Sequence, residues 1–146
     1  MTTPMVVAVR VRWGDCDPAG IAFYPRFFEW IDIAATDLHK LLGIERKGRE
    51  SIHGLPLVEV EAEFLAPVLV EDSLEIRAWV VAVGRTSIGL RYEFVRVPNG
   101  TLVARATERR VYITRDVAGA LRPCELTLQM RAAIEPHFER SKTAIA

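Results

Sequence analysis

Between about Phe23 and Leu42 the chain has no internal Gly and no Pro after Pro25, and apolar side chains recur at three- and four-residue steps. Phe27, Ile31, Ala34, Ala35, Leu38, Leu41 and Leu42 form the stripe, and Phe23, Trp30 and Ile33 widen it. The spacing predicts a helix whose apolar surface exceeds an ordinary amphipathic face, one that other structure must wrap rather than merely dock against. Arg26, Glu29, Asp37 and Lys40 fall on its outer edge, and Gly43 supplies a C-terminal stop.

Most of the remainder alternates with a period of two. Val7, Val9, Val11 and Trp13 oppose Ala8, Arg10 and Arg12, so Val7 to Trp13 reads as a half-buried strand. Val58, Val60, Ala62 and Phe64 alternate with Glu59, Glu61 and Glu63 in the cleanest such stretch. Further strands are predicted from Ser73 to Val83, Ser87 to Val97 and Thr101 to Thr114, joined by hairpin turns at Gly84-Arg85 and Pro98-Asn99-Gly100. Near Glu108 to Arg110 the phase of the last strand shifts, as a bulge or a change of covering produces. A short helix is expected from near Glu125 to before Pro136, with frayed residues after it. One strand, one long helix and four strands in hairpin order make an α+β chain, its antiparallel sheet of about five strands able to curl around the helix. A helix of about 20 residues is about 30 Å long, a length that only long strands cover.

The 146 residues amount to one domain, 1–146, large enough to bury a self-sufficient core without metal or disulfides. Lys plus Arg number 19 and so do Asp plus Glu, and a net charge of zero argues against a general nucleic-acid binder. Cys16 and Cys124 lie far apart without metal-ligand spacing, and His39, His53 and His137 are scattered, so no metal is expected. A nucleophilic Cys16 lacks a recognisable partner, and there is no Gly-x-Ser-x-Gly elbow. Trp13, Trp30 and Trp79 read most simply as core or interface aromatics. No stretch approaches the roughly 18 apolar residues of a membrane span, and Met1 to Met5 has neither a basic nor an apolar leader character. The expectation is a cytoplasmic protein with no membrane partner.

Chemistry concentrates where the first strand hands over to the helix, at Trp13-Gly14-Asp15-Cys16-Asp17-Pro18-Ala19-Gly20-Ile21-Ala22-Phe23-Tyr24-Pro25. With Pro25 at the first helical position, the Tyr24 N–H is left at the positive end of the helix dipole. A carbonyl oxygen on that N–H is polarised and a tetrahedral oxyanion is stabilised more strongly. Asp17, upstream, can present its carboxylate to the carbonyl carbon as nucleophile or to a water as general base. Asp and Gly before a helix also serve turns and caps, and Asp32, in the helix, can simply be solvated.

The segment Gly-Asp-Cys-Asp-Pro-Ala-Gly-Ile, then Phe-Tyr-Pro, then Trp30-Ile31-Asp32 and Ala34-Ala35, closely resembles the 4-hydroxybenzoyl-CoA thioesterase family of hot-dog-fold enzymes. The similarity is densest over residues 10 to 35, while the order of strands and helix matches over almost the whole chain. The resemblance implies a long central helix held in a curved sheet, two chains pairing their sheets, and acyl-CoA sites at the subunit interface of a homodimer or homotetramer. It makes Asp17 the catalytic carboxylate and Tyr24 the residue whose N–H polarises the thioester, with no cofactor. It makes Asp32 a contact for the 4-hydroxyl of an aromatic acyl group, and Arg85, Ser87 and Arg122 the candidates for CoA. Hydrolysis of an aromatic acyl-CoA is the activity implied; a short or branched aliphatic acyl-CoA thioesterase and a non-catalytic acyl-CoA-binding protein are the alternatives.

Overall fold

A computed structural model describes residues 2–44 and 53–140. The first strand, β1 (Met5–Arg10), leads through a 3-10 turn (Trp13–Asp15) to the principal helix, α1 (Pro25–Leu41). Then come a two-residue strand β2 (His53–Gly54), β3 (Leu57–Phe64), β4 (Ser73–Val83), β5 (Ser87–Val97), β6 (Thr101–Val111), β7 (Ile113–Arg115), β8 (Leu121–Pro123) and a short helix α2 (Leu128–Ile134). Five strands form an antiparallel sheet in the order β1-β4-β5-β6-β3, and β2-β7-β8 form a small second sheet. The α+β architecture follows the sequence expectation.

α1 has 17 residues, about 25 Å, and is somewhat shorter than predicted at both ends. At its start the Phe23 N–H is already engaged by the Asp15 carbonyl at 2.8 Å, so the helix begins at Pro25 with Tyr24 as its cap. At its end Gly43 takes φ +72°, a backbone setting that favours glycine, while the Gly43 N–H reaches the Lys40 carbonyl and the Ile44 N–H the His39 carbonyl. The wrapping is incomplete within one chain. Phe27, Trp30, Ile31, Ala34, Ala35 and Leu38 are buried, but Phe28 and Ile33 stay exposed beside Glu29, Asp32, Asp37 and Lys40.

The sheet supplies the buried side of that contact. Ile88, Leu90, Tyr92 and Phe94 of β5 are each at most 1% exposed, and with Leu74, Ile76, Ala78 and Val80 of β4 they share one cluster with the apolar face of α1. Phe27 of α1 packs edge-on against Phe94 at 5.3 Å and Phe64 at 5.0 Å. Burying a large apolar side chain contributes about 1.5–3 kcal/mol, so these contacts anchor helix to sheet.

Two local expectations are corrected and a third is met in part. β1 stops at Arg10, and Trp13, expected on its buried face, is 81% exposed, because the chain turns there through the Asp15 N–H to Arg12 carbonyl bond. The last long strand breaks at Tyr112, whose N–H goes instead to the Thr86 carbonyl. Its register is irregular opposite Phe94/Val95 on β5 and again opposite Leu57/Glu59 on β3, the latter beside Glu108 and Arg110 as the sequence predicts. Those two residues remain in phase with the buried face.

β3 lies at the sheet edge, with one ladder paired to β6 and the other without a strand partner among the described residues. Leu57, Val58 and Phe64 are each about half exposed. An open apolar edge of this kind invites another strand.

Candidate active site

The loop before α1 is a small hairpin. The Asp17 N–H donates to the Ile21 carbonyl at 2.9 Å, Cys16 pairs with Ala22, and Phe23 closes onto Asp15. A turn through Pro18 and Ala19 is fixed by Asp17 itself, whose Oδ1 accepts the Ala19 N–H at 2.9 Å. On its other side the Ala22 N–H reaches the Val68 carbonyl at 2.7 Å. Asp17 is half-buried, and among the described residues its Oδ2 carries no hydrogen bond.

Tyr24 caps α1 with Pro25 at the first helical position, as the sequence predicts. Among the described residues the Tyr24 N–H has no acceptor, whereas the next available N–H groups, of Arg26 and Phe27, close onto the Phe23 and Tyr24 carbonyls. An unpaired N–H thus remains at the positive end of α1. Tyr24 is 61% exposed, and its ring meets Phe23 and Phe64 edge-on.

Tyr24 also lines an open cavity of about 500 Å³ with Ile21, Ala22, Phe27, Phe64 and the Leu65 to Val68 segment. Its walls are apolar and partly aromatic, suited to an acyl group. Asp17 is not among the lining residues; it belongs to the hairpin that supplies Ile21 and Ala22.

The other candidates lie elsewhere in the chain. Asp32 is exposed on α1, eight residues and about 12 Å along the helix from Tyr24, and its carbonyl accepts the Thr36 hydroxyl at 3.0 Å. Arg85 occupies the β4–β5 turn, where it pairs with Glu125 at 3.6 Å, and Ser87 opens β5. Arg122, on β8, pairs with Asp116 at 3.1 Å. The ten steps of β4 from Ser73, beside the hairpin, to Val83, beside Arg85, span about 33 Å. One chain therefore does not bring Arg85 or Ser87 to the Asp17 hairpin.

Two groups of residues escaped the sequence. Glu108 and Arg110 form a buried ion pair at 2.8 Å, joined by the Tyr92 hydroxyl donating to Glu108 Oε1 at 2.5 Å and by Arg110 donating to the Leu55 carbonyl at 3.1 Å. Burial and then Glu108 push the Tyr92 phenol well above its ordinary value. Asp15 and Arg26 form the second group, at the hairpin itself.

The histidines have local partners: His39 Nδ1 donates to the Ala35 carbonyl at 2.7 Å, and His53 stacks on Tyr112 within hydrogen-bonding reach of its hydroxyl. Burial, and then Asp15, Asp17 and Asp72, raise the Cys16 thiol, the opposite of what a thiolate nucleophile requires. No group of three or more potential metal ligands occurs among the described residues, and no described helix is long and apolar enough to cross a membrane.

Residues 11–134 match the family profile of the Thioesterase-like superfamily. The chain is 30% identical over 123 residues to 4-hydroxybenzoyl-CoA thioesterase of Pseudomonas sp. strain CBS-3, covering 80% of this chain and 87% of that one. It superposes on an Asp-to-Asn mutant of a 4-hydroxybenzoyl-CoA thioesterase complexed with 4-hydroxybenzoyl-CoA, with TM-score 0.77 and 27% identity over 92% of this chain and 100% of that one. A gentisyl-coenzyme A thioesterase gives TM-score 0.71 and 31% identity over 88% of this chain and 98% of that one. From profile, identity and architecture alike, the chain belongs to the Thioesterase-like superfamily of hot-dog acyl-CoA thioester hydrolases.

Proposed function

We propose that this enzyme hydrolyses aromatic acyl-CoA thioesters, 4-hydroxybenzoyl-CoA first among them, to the free acid and CoA. The observation that carries the proposal is the unpaired Tyr24 N–H at the positive end of α1, opening beside an aromatic-walled cavity and next to the hairpin that holds Asp17. The thioester oxygen sits on that N–H, which stabilises the charge that develops as the carbonyl carbon becomes tetrahedral. Asp17 attacks that carbon through its unbonded Oδ2, or takes a proton from a water that attacks. Collapse of the intermediate expels the CoA thiolate, and in the nucleophilic route water then cleaves the acyl-Asp17 anhydride.

The working unit in this proposal is a homodimer or homotetramer whose hot-dog sheets join through β3, each site drawing on two chains. The apolar edge of β3, open among the described residues, supports it, as does the distance of Arg85 and Ser87 from the hairpin of their own chain. A second chain offers its Arg85, Ser87 and Arg122 to the CoA phosphates and its Asp32 to the ring hydroxyl. The carboxylates that hold Arg85 and Arg122 are surface partners, worth little and readily exchanged for phosphate.

The test is release of free CoA thiol from 4-hydroxybenzoyl-CoA, gentisyl-CoA, benzoyl-CoA and butyryl-CoA. The aryl thioesters carrying a hydroxyl are expected to give the highest kcat/KM, and Asp17→Asn to lower kcat by about 10²- to 10⁴-fold. Preference for butyryl-CoA overturns the aromatic assignment, and wild-type turnover in Asp17→Asn overturns the role of Asp17.

A further inference from the structure

The hairpin that carries Asp17 is tied to the entrance of α1 by a second acid and an arginine. Asp15 is 6% exposed; its Oδ2 accepts the Arg12 N–H at 2.9 Å and its carbonyl accepts the Phe23 N–H at 2.8 Å. Its Oδ1 faces Arg26 Nε at 3.8 Å. Arg26 stands on the first turn of α1, two residues beyond Tyr24, and reaches back to the hairpin through Nη2, which donates to the Gly14 carbonyl at 3.0 Å. Its Nη1 is braced by both oxygens of Glu29 at 2.8 and 3.1 Å. The Arg26 Nε is buried and makes no hydrogen bond among the described residues, so charge is what draws it to Asp15.

An asparagine accepts the Arg12 N–H equally well without the cost of burying a charge. The charge on Asp15 faces two guanidinium groups, the exposed Arg12 Nε at 3.9 Å and Arg26 Nε at 3.8 Å, and the Asp15–Arg26 pair is the one that crosses to α1. The pair bridges the hairpin and the helix on either side of the candidate site, since Asp17 lies two residues after Asp15 and Tyr24 two residues before Arg26.

We propose that Asp15 and Arg26 are a positioning pair for thioester hydrolysis, their contact across the hairpin–helix junction holding the Asp17 carboxylate and the Tyr24 N–H at the separation the reaction needs. This rests on the roles of Asp17 and Tyr24 proposed above. Neither member touches the substrate; each acts through the placement of its neighbour.

The experiment measures kcat and KM with 4-hydroxybenzoyl-CoA, and Tm, for Asp15→Asn, Arg26→Gln, Arg26→Lys, the double Asp15→Asn/Arg26→Gln and Asp17→Asn. Because small misplacements of reacting groups are costly, Asp15→Asn and Arg26→Gln are each expected to lower kcat about 10- to 100-fold with KM within about twofold. Arg26→Lys recovers part of the loss by restoring the charge. The double variant is no slower than the slower single one, since both delete the same contact. Lowered Tm with unchanged kcat in the folded protein overturns the pair and leaves it a structural tie. Wild-type kcat in Arg26→Gln beside an inactive Asp17→Asn overturns the pair alone. Wild-type turnover in Asp17→Asn overturns the site and the pair with it. If Asp15→Asn does not fold, the two Arg26 variants, at a partly exposed side chain, decide the matter.

Discussion

Glu108 and Arg110 stand two residues apart on β6 and both face the core, where Arg110 Nε meets Glu108 Oε1 at 2.8 Å. The glutamate side chain is completely enclosed and the arginine nearly so. Removing one partner leaves the other charged and buried. Glu108→Ala is therefore expected to cost about 3–5 kcal/mol, and Tyr92→Phe, which removes only one donor to a charged acceptor, about 1.5–3 kcal/mol. Urea unfolding of the two variants checks the order; equal small losses would mean that the network carries little of the stability.

The same network sets an alkaline limit. The Tyr92 phenol is held well above its ordinary value, first by burial and then by Glu108, so the fold favours its neutral form. For a group raised on folding, the stabilisation is fully present below the unfolded value of about 10 and is lost as pH rises from there towards the folded value. Stability should fall above about pH 10, and Tyr92→Phe should remove one proton's share of that slope. Identical slopes in the two proteins would detach Tyr92 from the alkaline limb.

Period and turn chemistry carried most of the fold. Alternation in β4, β5 and β6 and the apolar run of α1 follow from burial of one sheet face and one helix surface, which residue type reports directly. Glu108 and Arg110 were lost because two charged side chains in phase with Ala104 and Ala106 resemble a phase change when pairing cannot be seen. Trp13 leaves the face of the first strand because Gly14 and Asp15 turn the chain away, which takes it out of the core and leaves the interface reading open. At the site, Pro25 after Tyr24 was enough to place the helix entrance. Asp15 and Arg26 were not legible, since ten residues lie between them in sequence and only folding makes the loop and first turn adjacent. Nothing local to Arg85, Ser87 and Arg122 distinguishes a CoA contact from an ordinary solvated side chain, and Arg85 and Arg122 pair on their own chain with Glu125 and Asp116.

At Tyr24 the backbone, not the ring, is assigned the chemistry. Tyr24→Phe keeps the N–H and is expected to retain kcat within about twofold. Tyr24→Pro deletes the N–H at a residue whose φ of −53° already suits proline. Loss of one oxyanion donor typically raises the barrier by about 2.7–4 kcal/mol, a fall of about 10²- to 10³-fold in kcat. Steady-state kinetics on the two variants separate backbone from ring; a Tyr24→Phe defect as deep as that of Tyr24→Pro would move the role to the phenol.

In the proposed site Asp32 bears on selectivity rather than on bond cleavage. A carboxylate that accepts a ring hydroxyl loses that bond on truncation, so Asp32→Ala should lower kcat/KM for 4-hydroxybenzoyl-CoA about 10- to 100-fold and leave benzoyl-CoA nearly unchanged. Equal losses on both thioesters would assign Asp32 to helix or interface structure instead.

Whether the site needs two chains can be asked at the edge of the sheet. Val58 lies on β3, away from the cavity lining, and is 51% exposed, so replacing it inside a single chain should cost little stability. If β3 of one chain lies against β3 of another, Val58→Arg places a bulky charge in an apolar seam, and a desolvated unpaired charge there is costly. The expected result is an oligomeric wild-type protein and a folded, monomeric Val58→Arg whose thioesterase activity is lost with the assembly, because its Arg85 and Ser87 no longer reach a neighbouring cavity. Sedimentation velocity and thiol-release assays on the same samples, across a range of protein concentration, check both parts. A Val58→Arg monomer with full kcat/KM would show that one chain suffices, and the CoA phosphates would then have to be sought near the Asp17 hairpin of the same chain.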